Sequence, residues 1–93
     1  MALLEQQEID SALAGDLASW SQEGDALVRS VEAATFLDGI ELVRRVGEAA
    51  EKSDHHPDID IRWRTITFRL STHSEGGLTD KDVVMAGTID KLV

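Results

Sequence analysis

All three histidines of this 93-residue chain lie within nineteen residues of one another. His55 and His56 are adjacent and are followed by Pro57, while His73 stands at the far end of an alternating, strand-like segment. Histidine is the side chain whose unperturbed pKa, about 6.5, lets it both give and accept a proton near neutral pH. Three such groups brought together would make a general acid-base site.

Other residues with chemical potential fall at set spacings around the histidines. The members of the pattern are Glu51, His55, His56, Pro57, Trp63, His73 and Asp82. Between successive members lie three, zero, zero, five, nine and eight residues. The pattern resembles the signature of the pterin-4a-carbinolamine dehydratases in every element and every gap. The similarity is strong from Glu51 to Ile89 and weak before residue 34.

The resemblance implies a particular reaction. A 4a-hydroxytetrahydropterin, such as 4a-hydroxytetrahydrobiopterin, would lose water to give the quinonoid dihydropterin, a carbon-oxygen hydro-lyase step in tetrahydrobiopterin recycling. An acid must protonate the leaving hydroxyl while a base takes a ring N–H proton. Histidines in unlike protonation states suit that chemistry. No metal, flavin or nicotinamide cofactor is expected.

The resemblance also implies roles for individual residues. His55 and His73 would carry the two proton transfers, and His56 would bind or orient the ring. The substrate-binding residues would be Glu51, Trp63 and Asp82. Where many members of the family have an aromatic residue two positions after the proline, this chain has Ile59, so stacking of the substrate on that position is not expected here.

Structural explanations compete with these roles. Asp82 stands three residues after Thr79, the spacing of a helix capping box. Trp63 at a strand position could belong to the core, and Glu51 could be an ordinary exposed residue at the end of a helix. Three histidines would suffice for a zinc site with an open position, but adjacent ligands are sterically awkward and no helical His pair at i, i+4 is present. We therefore expect no metal.

An interaction module is the alternative from another functional class. Some family members bind a homeodomain transcription factor as a dimerisation cofactor. The helix face that carries Gly39 and Gly47 could serve as such a surface. Turnover of a 4a-hydroxytetrahydropterin would distinguish the enzyme from this alternative.

Composition narrows the possible partners and environment. Nine Lys and Arg against eighteen Asp and Glu give a formal net charge of -9, which argues against direct binding of nucleic acid, because such binding depends on neutralising phosphates. The chain has no cysteine and thus no disulfide framework. The first thirty residues show neither a signal peptide nor a membrane span, so we expect a cytoplasmic protein. A chain of this length predicts one domain over residues 1–93.

Hydrophobic periodicity predicts the elements that must position the site. They are a helix over 4–14, a hairpin of strands over 17–22 and 26–31, a central helix over 35–52, strands over 59–63 and 66–71 with a reversal between them, and a helix over 80–91. Two antiparallel hairpins with helices on one face make a two-layer α+β domain in the order α-β-β-α-β-β-α.

Details of these elements lead to further expectations. The central helix should bury a stripe of apolar residues: Phe36, Leu37, Ile40, Val43, Val46, Ala49 and Ala50. Gly39 and Gly47 inside it suggest close approach of another backbone, and the strand that ends at Trp63 should have one buried face. A four-stranded open sheet leaves two edges unpaired, so we expect a homodimer or a homotetramer.

Overall fold

A computed structural model describes residues 2–93 of the chain. Three α-helices and four β-strands follow one another in the order α-β-β-α-β-β-α, so the α+β prediction is confirmed. Their bounds are α1 Gln6–Ala14, β1 Ser21–Glu23, β2 Ala26–Glu32, α2 Phe36–Ser53, β3 Asp58–Arg62, β4 Thr65–Leu70 and α3 Asp80–Leu92. A short 3-10 turn at His73–Glu75 lies between β4 and α3.

The four strands form one antiparallel sheet in the spatial order β1-β2-β4-β3. Alternate residues of β4, namely Ile66, Phe68 and Leu70, are completely buried against the helices. Val46 of α2 and Ile89 of α3 are equally buried and belong to the same hydrophobic cluster. The helices therefore cover one face of the sheet, and the core lies between the two layers.

A tight turn joins the two strands of each hairpin. Gly24 in the first turn takes a positive φ of 60°, a conformation that glycine adopts readily because it has no Cβ. The reversal expected between residues 63 and 66 falls at Trp63 and Arg64. It explains why the apolar residues are odd-numbered in β3 and even-numbered in β4. Trp63 has a positive φ of 52°, a conformation that costs energy in a residue with a Cβ.

Several element boundaries differ from the prediction. α1 begins at Gln6 rather than at residue 4, because Glu5 and Glu8 form a capping box that fixes the first turn. β1 contains only Ser21–Glu23, and the residues before it form a turn that ends at the buried Trp20. No helix within residues 2–93 is long and apolar enough to cross a membrane.

The buried face of α2 is narrower than the predicted stripe. Phe36, Leu37 and Ile40 were expected inside but are exposed, Leu37 to 74%. At about 100° per residue, Leu37 points roughly 180° away from Val46, so one helix cannot bury both against the same sheet. The residues of α2 that are buried are Gly39, Leu42, Val46 and Ala50. Val43 and Ala49 of the predicted stripe are partly buried and pack against the core.

The two glycines of α2 have different surroundings. A Cβ at Gly39 would lie 3.0 Å from Cδ1 of Ile66, so the helix does approach the sheet closely there, although the neighbour is a side chain rather than a backbone. A Cβ at Gly47 would meet nothing within 4 Å. The expected close approach at Gly47 is therefore wrong.

Candidate active site

His55 comes directly after α2, and the way that helix ends sets its position. Asp54 caps the helix in a left-handed conformation with φ 49°, a common way for a helix to terminate. The backbone N–H of His55 donates to the carbonyl of Ala50 at 3.2 Å. Its side chain reaches the start of α3 and is only 11% exposed.

The partner of His55 is Asp82, whose side chain is fully buried in the first turn of α3. Oδ1 of Asp82 lies 2.6 Å from Nε2 of His55. Oδ2 accepts hydrogen bonds from the Thr72 hydroxyl at 2.7 Å and from the Thr79 backbone N–H at 2.9 Å. These contacts, with the favourable N-terminal end of the helix dipole, supply what a buried carboxylate requires. The predicted capping box is confirmed, and the same carboxylate also holds a histidine.

A cavity of about 190 Å³ opens beside His55. Its other walls come from the end of α2 and the first two turns of α3, and they are formed by Ser53, Asp80, Lys81, Val84 and Met85. A largely apolar concavity with a few polar groups is the usual form of a small-molecule site. The cavity and the buried pair together identify this corner of the molecule as the candidate site.

His56 lies outside that cavity. Its Nε2 is 2.5 Å from Oε2 of Glu51, and both side chains are more than half exposed. Pro57 favours an extended conformation at His56, so the two adjacent histidines face different surroundings. The structure thus forms two separate pairs, His55 with Asp82 and His56 with Glu51.

His73 begins the 3-10 turn after β4 and is exposed. Within residues 2–93 its side chain makes no hydrogen bond, and it is not among the residues that line the cavity. Its neighbour Thr72 does belong to the buried network through Asp82. The backbone N–H of Thr72 also donates to the carbonyl of Gly77 at 2.9 Å, which closes the loop that carries His73.

Trp63 lies at the other end of β3 from the histidine pair. Five residues of extended chain lie between it and Pro57, which places the two Cα atoms roughly 20 Å apart. Its side chain is 71% exposed, so the explanation that it is a core residue is wrong. Its ring stacks on the guanidinium of Arg64, with 4.4 Å between Cζ and the ring centroid. Within one chain, the structure does not bring Trp63 to the cavity.

Sequence reasoning missed the part that Thr72 plays. The motif includes its neighbour His73 but not Thr72. Nothing in the sequence of a strand end indicates that a threonine hydroxyl there contacts the carboxylate of Asp82, ten residues further along. The cavity-lining residues Lys81, Val84 and Met85 were likewise not expected in the site, because their helical periodicity indicated only packing or exposure.

The described part of the chain offers no obvious metal centre. Within residues 2–93, no three His, Cys, Asp or Glu side chains are placed to hold an ion.

The marked pKa shifts belong to an exposed ion pair on α2: hydrogen bonding to Arg44 lowers the pKa of Glu41, and the same bond raises the pKa of Arg44.

Comparisons with known proteins agree on one group. A family model described as "Pterin 4 alpha carbinolamine dehydratase" matches residues 2–92. A protein of Mycobacteroides abscessus named "Putative pterin-4-alpha-carbinolamine dehydratase" is 64% identical over 90 residues, covering 97% of this chain and 95% of the relative. One of the same name from Mycolicibacterium vanbaalenii is 60% identical over 93 residues, covering 100% and 99%.

Two solved structures share the fold. The crystal structure of a "transcriptional coactivator/pterin dehydratase" from Brucella melitensis superposes with a TM-score of 0.92 at 29% identity, covering 98% of each chain. A "pterin dehydratase-like protein" identified as a RuBisCO assembly factor in the alpha-carboxysome gives a TM-score of 0.69 at 17% identity, covering 80% of this chain and 88% of the other. The second likeness concerns the fold alone.

Proposed function

This chain belongs to the pterin 4 alpha carbinolamine dehydratase family, and we propose that it dehydrates a 4a-hydroxytetrahydropterin such as 4a-hydroxytetrahydrobiopterin. The C4a–O bond breaks, the hydroxyl leaves as water after taking a proton from an acid, and a ring nitrogen gives its proton to a base. The product is the quinonoid dihydropterin. Proton transfer of this kind contributes about 10²- to 10⁴-fold to the rate.

The observation that carries the proposal is the contact between His55 and the buried Asp82 at the edge of a cavity. A carboxylate that binds one ring nitrogen orients the imidazole and favours a single tautomer. Nε2 of His55 is occupied by Asp82, which leaves Nδ1 as the nitrogen that exchanges a proton with the substrate. At about 190 Å³ the cavity is smaller than the roughly 300 Å³ at the lower end of ligand sites, so a complete 4a-hydroxytetrahydrobiopterin would extend beyond it.

The remaining motif residues complete the proposal. His73, on the loop that Thr72 ties to Asp82, serves as the second proton-transfer group. His56, held by Glu51 outside the cavity, binds or orients the ring. Asp82 acts through His55, since its own side chain is fully buried. The reaction needs no cofactor, and we place the protein in the cytoplasm.

Self-association would give Trp63 a route to the site. β3 is an edge strand, and in residues 2–93 its outer side has no strand partner. If two copies pair antiparallel with Ile61 opposite Ile61, each Asp60 faces an Arg62 and each Ile59 faces a Trp63 across the junction. Charged and apolar pairs then match at each position. We propose that a homodimer, or a homotetramer built from it, brings Trp63 of one copy to the histidine end of the other.

An interaction module remains the alternative function. The Brucella melitensis protein that shares this fold is described as a "transcriptional coactivator/pterin dehydratase". Phe36 and Leu37, in the first turn of α2, are exposed apolar side chains of the kind that often mark protein contacts. Direct binding to nucleic acid is not part of either proposal, because the net charge is -9.

A turnover assay separates the two functions. The purified chain should accelerate the dehydration of a 4a-hydroxytetrahydropterin well above its spontaneous rate in the same buffer. The variant Leu37→Ser, which alters the α2 surface but not the cavity, should retain that rate. No acceleration by the wild-type protein would leave the interaction module as the better proposal.

A further inference from the structure

The buried hydrogen bonds around Asp82 have a defined direction. Thr72 has one hydroxyl proton, and its geometry assigns that proton to Oδ2 of Asp82 at 2.7 Å. The 2.8 Å contact between the hydroxyls of Thr72 and Thr79 must then be donated by Thr79. Thr79 in turn accepts from the backbone N–H of Lys81 at 3.3 Å. The chain of donors therefore runs from Lys81 through Thr79 and Thr72 to the carboxylate.

The hydrogen bonds of Asp82 also determine which ring nitrogen of His55 carries the proton. Oδ2 of Asp82 accepts two hydrogen bonds, one from the Thr72 hydroxyl and one from the Thr79 backbone N–H. The carboxylate form of Asp82 has no proton of its own and acts only as an acceptor, so its Oδ1 accepts the hydrogen bond that Nε2–H of His55 donates. The neutral imidazole is therefore the Nε2–H tautomer, with Nδ1 free.

We propose that Thr72 is a positioning residue for His55, acting through Asp82. The proposal rests on the dehydratase function for its kinetic consequence but not for its structural one. The Thr72 hydroxyl fixes the carboxylate in the rotamer that presents Oδ1 to the ring, and the Thr79 hydroxyl aligns the hydroxyl of Thr72. Thr72 directly precedes His73. Its hydroxyl therefore links the loop that carries His73, through Asp82, to Nε2 of His55.

The hydroxyl can be separated from the structural role of the residue. The loop is closed by backbone hydrogen bonds, from Thr72 N–H to the Gly77 carbonyl at 2.9 Å and from the N–H of Glu75 to the Thr72 carbonyl at 3.0 Å. Thr72→Val keeps these bonds and the side-chain shape but removes the donor. Thr72→Ser keeps the donor and removes a methyl group.

The chain offers a matched control. Thr67 lies in the same strand region, on β4, and its hydroxyl is 2.8 Å from that of Ser30 on the outer face of the sheet. Thr67→Val therefore removes a threonine hydroxyl from a hydrogen-bonded pair that has no contact with Asp82. Any effect that follows merely from losing such a hydroxyl should appear in this variant as well.

The test combines ¹⁵N NMR of the histidine rings with steady-state kinetics. In the wild-type protein and in Thr67→Val and Thr72→Ser, the ¹⁵N shifts of neutral His55 should report the Nε2–H tautomer alone. In Thr72→Val a mixture of tautomers should appear, and kcat should fall roughly 10- to 100-fold with little change in KM, as expected when a reacting group is misplaced.

Two results would overturn the proposal. One is a single Nε2–H tautomer together with wild-type kcat in Thr72→Val, whether or not its melting temperature falls. The other is an equal fall of kcat in Thr72→Val and Thr72→Ser. If the wild-type protein has no dehydratase activity, the proposed function fails, but the tautomer in Thr72→Val still decides whether Thr72 positions His55.

Discussion

Asp82 and Asp38 occupy the same position in two helices but have different surroundings. Each stands three residues after a threonine N-cap, Thr79 in one helix and Thr35 in the other. Asp38 is exposed, whereas Asp82 is buried against His55. A shared local motif thus serves only as a cap in one helix and as part of a site in the other.

This pair of residues provides a prediction at the scale of one carboxylate. Asp82→Asn places an amide where only an acceptor fits, so either His55 or Thr72 loses its partner. A hydrogen bond to a charged group contributes about 1.5–3 kcal/mol, and we expect kcat to fall roughly 10- to 100-fold. Asp38→Asn is the control and should keep wild-type kcat. Equal kcat values for both variants in steady-state assays would show that Asp82 has no part in the reaction.

The residue types of the site could be predicted from the sequence, but their grouping could not. Proton-transfer chemistry and the spacing of the motif indicated His55, His56, His73 and Asp82. Spacing alone offered no basis for pairing His55 with Asp82 and His56 with Glu51. The first contact depends on how α2 ends and where α3 begins, and the second depends on the path of the chain just after α2. The catalytic and binding roles proposed for the three histidines and Asp82, and for Glu51 and Trp63, all stay predictions.

At the scale of elements, the two glycines of α2 offer a matched pair. Gly47→Ala adds a methyl group in open space and improves helix propensity, so it should raise the free energy of unfolding by roughly 0.5–1 kcal/mol. Gly39→Ala gains the same propensity but pushes against the buried Ile66, which should cancel or reverse the gain. Urea denaturation measures both, and equal stabilisation of the two variants would contradict the close approach at Gly39.

The order and type of elements could be predicted because apolar residues recur every second position in a strand and every third or fourth position in a helix. Leu42, a buried member of α2, was missing from the predicted stripe, while exposed residues were included in it. Phe36, Leu37 and Ile40 are as apolar as core residues, and nothing in their own sequence says which layer they face. On the face of β3 that was expected to be buried, Ile59 is partly buried and packs against the core. Ile61 is 39% exposed because the strand lies at the sheet edge.

At the scale of the whole molecule, the open edge of β3 predicts self-association. Sedimentation should give at least a dimer of the 10.2 kDa chain at micromolar concentration. In the proposed register, Arg62→Asp sets two carboxylates opposite each other at each junction and should release monomers. The double change Asp60→Arg/Arg62→Asp restores opposite charges and should restore the dimer. A wild-type protein that sediments as a stable monomer would rule out this assembly.

The proposed function depends above all on histidines of this chain moving the protons of the dehydration. The decisive experiment is to measure kcat for a 4a-hydroxytetrahydropterin with the double variant His55→Ala/His73→Ala beside the wild-type protein, under conditions where circular dichroism shows both to be folded. We expect a loss of at least roughly 10²-fold, because the acid and the base are both removed. Full activity in the folded double variant would show that these histidines do not carry the reaction.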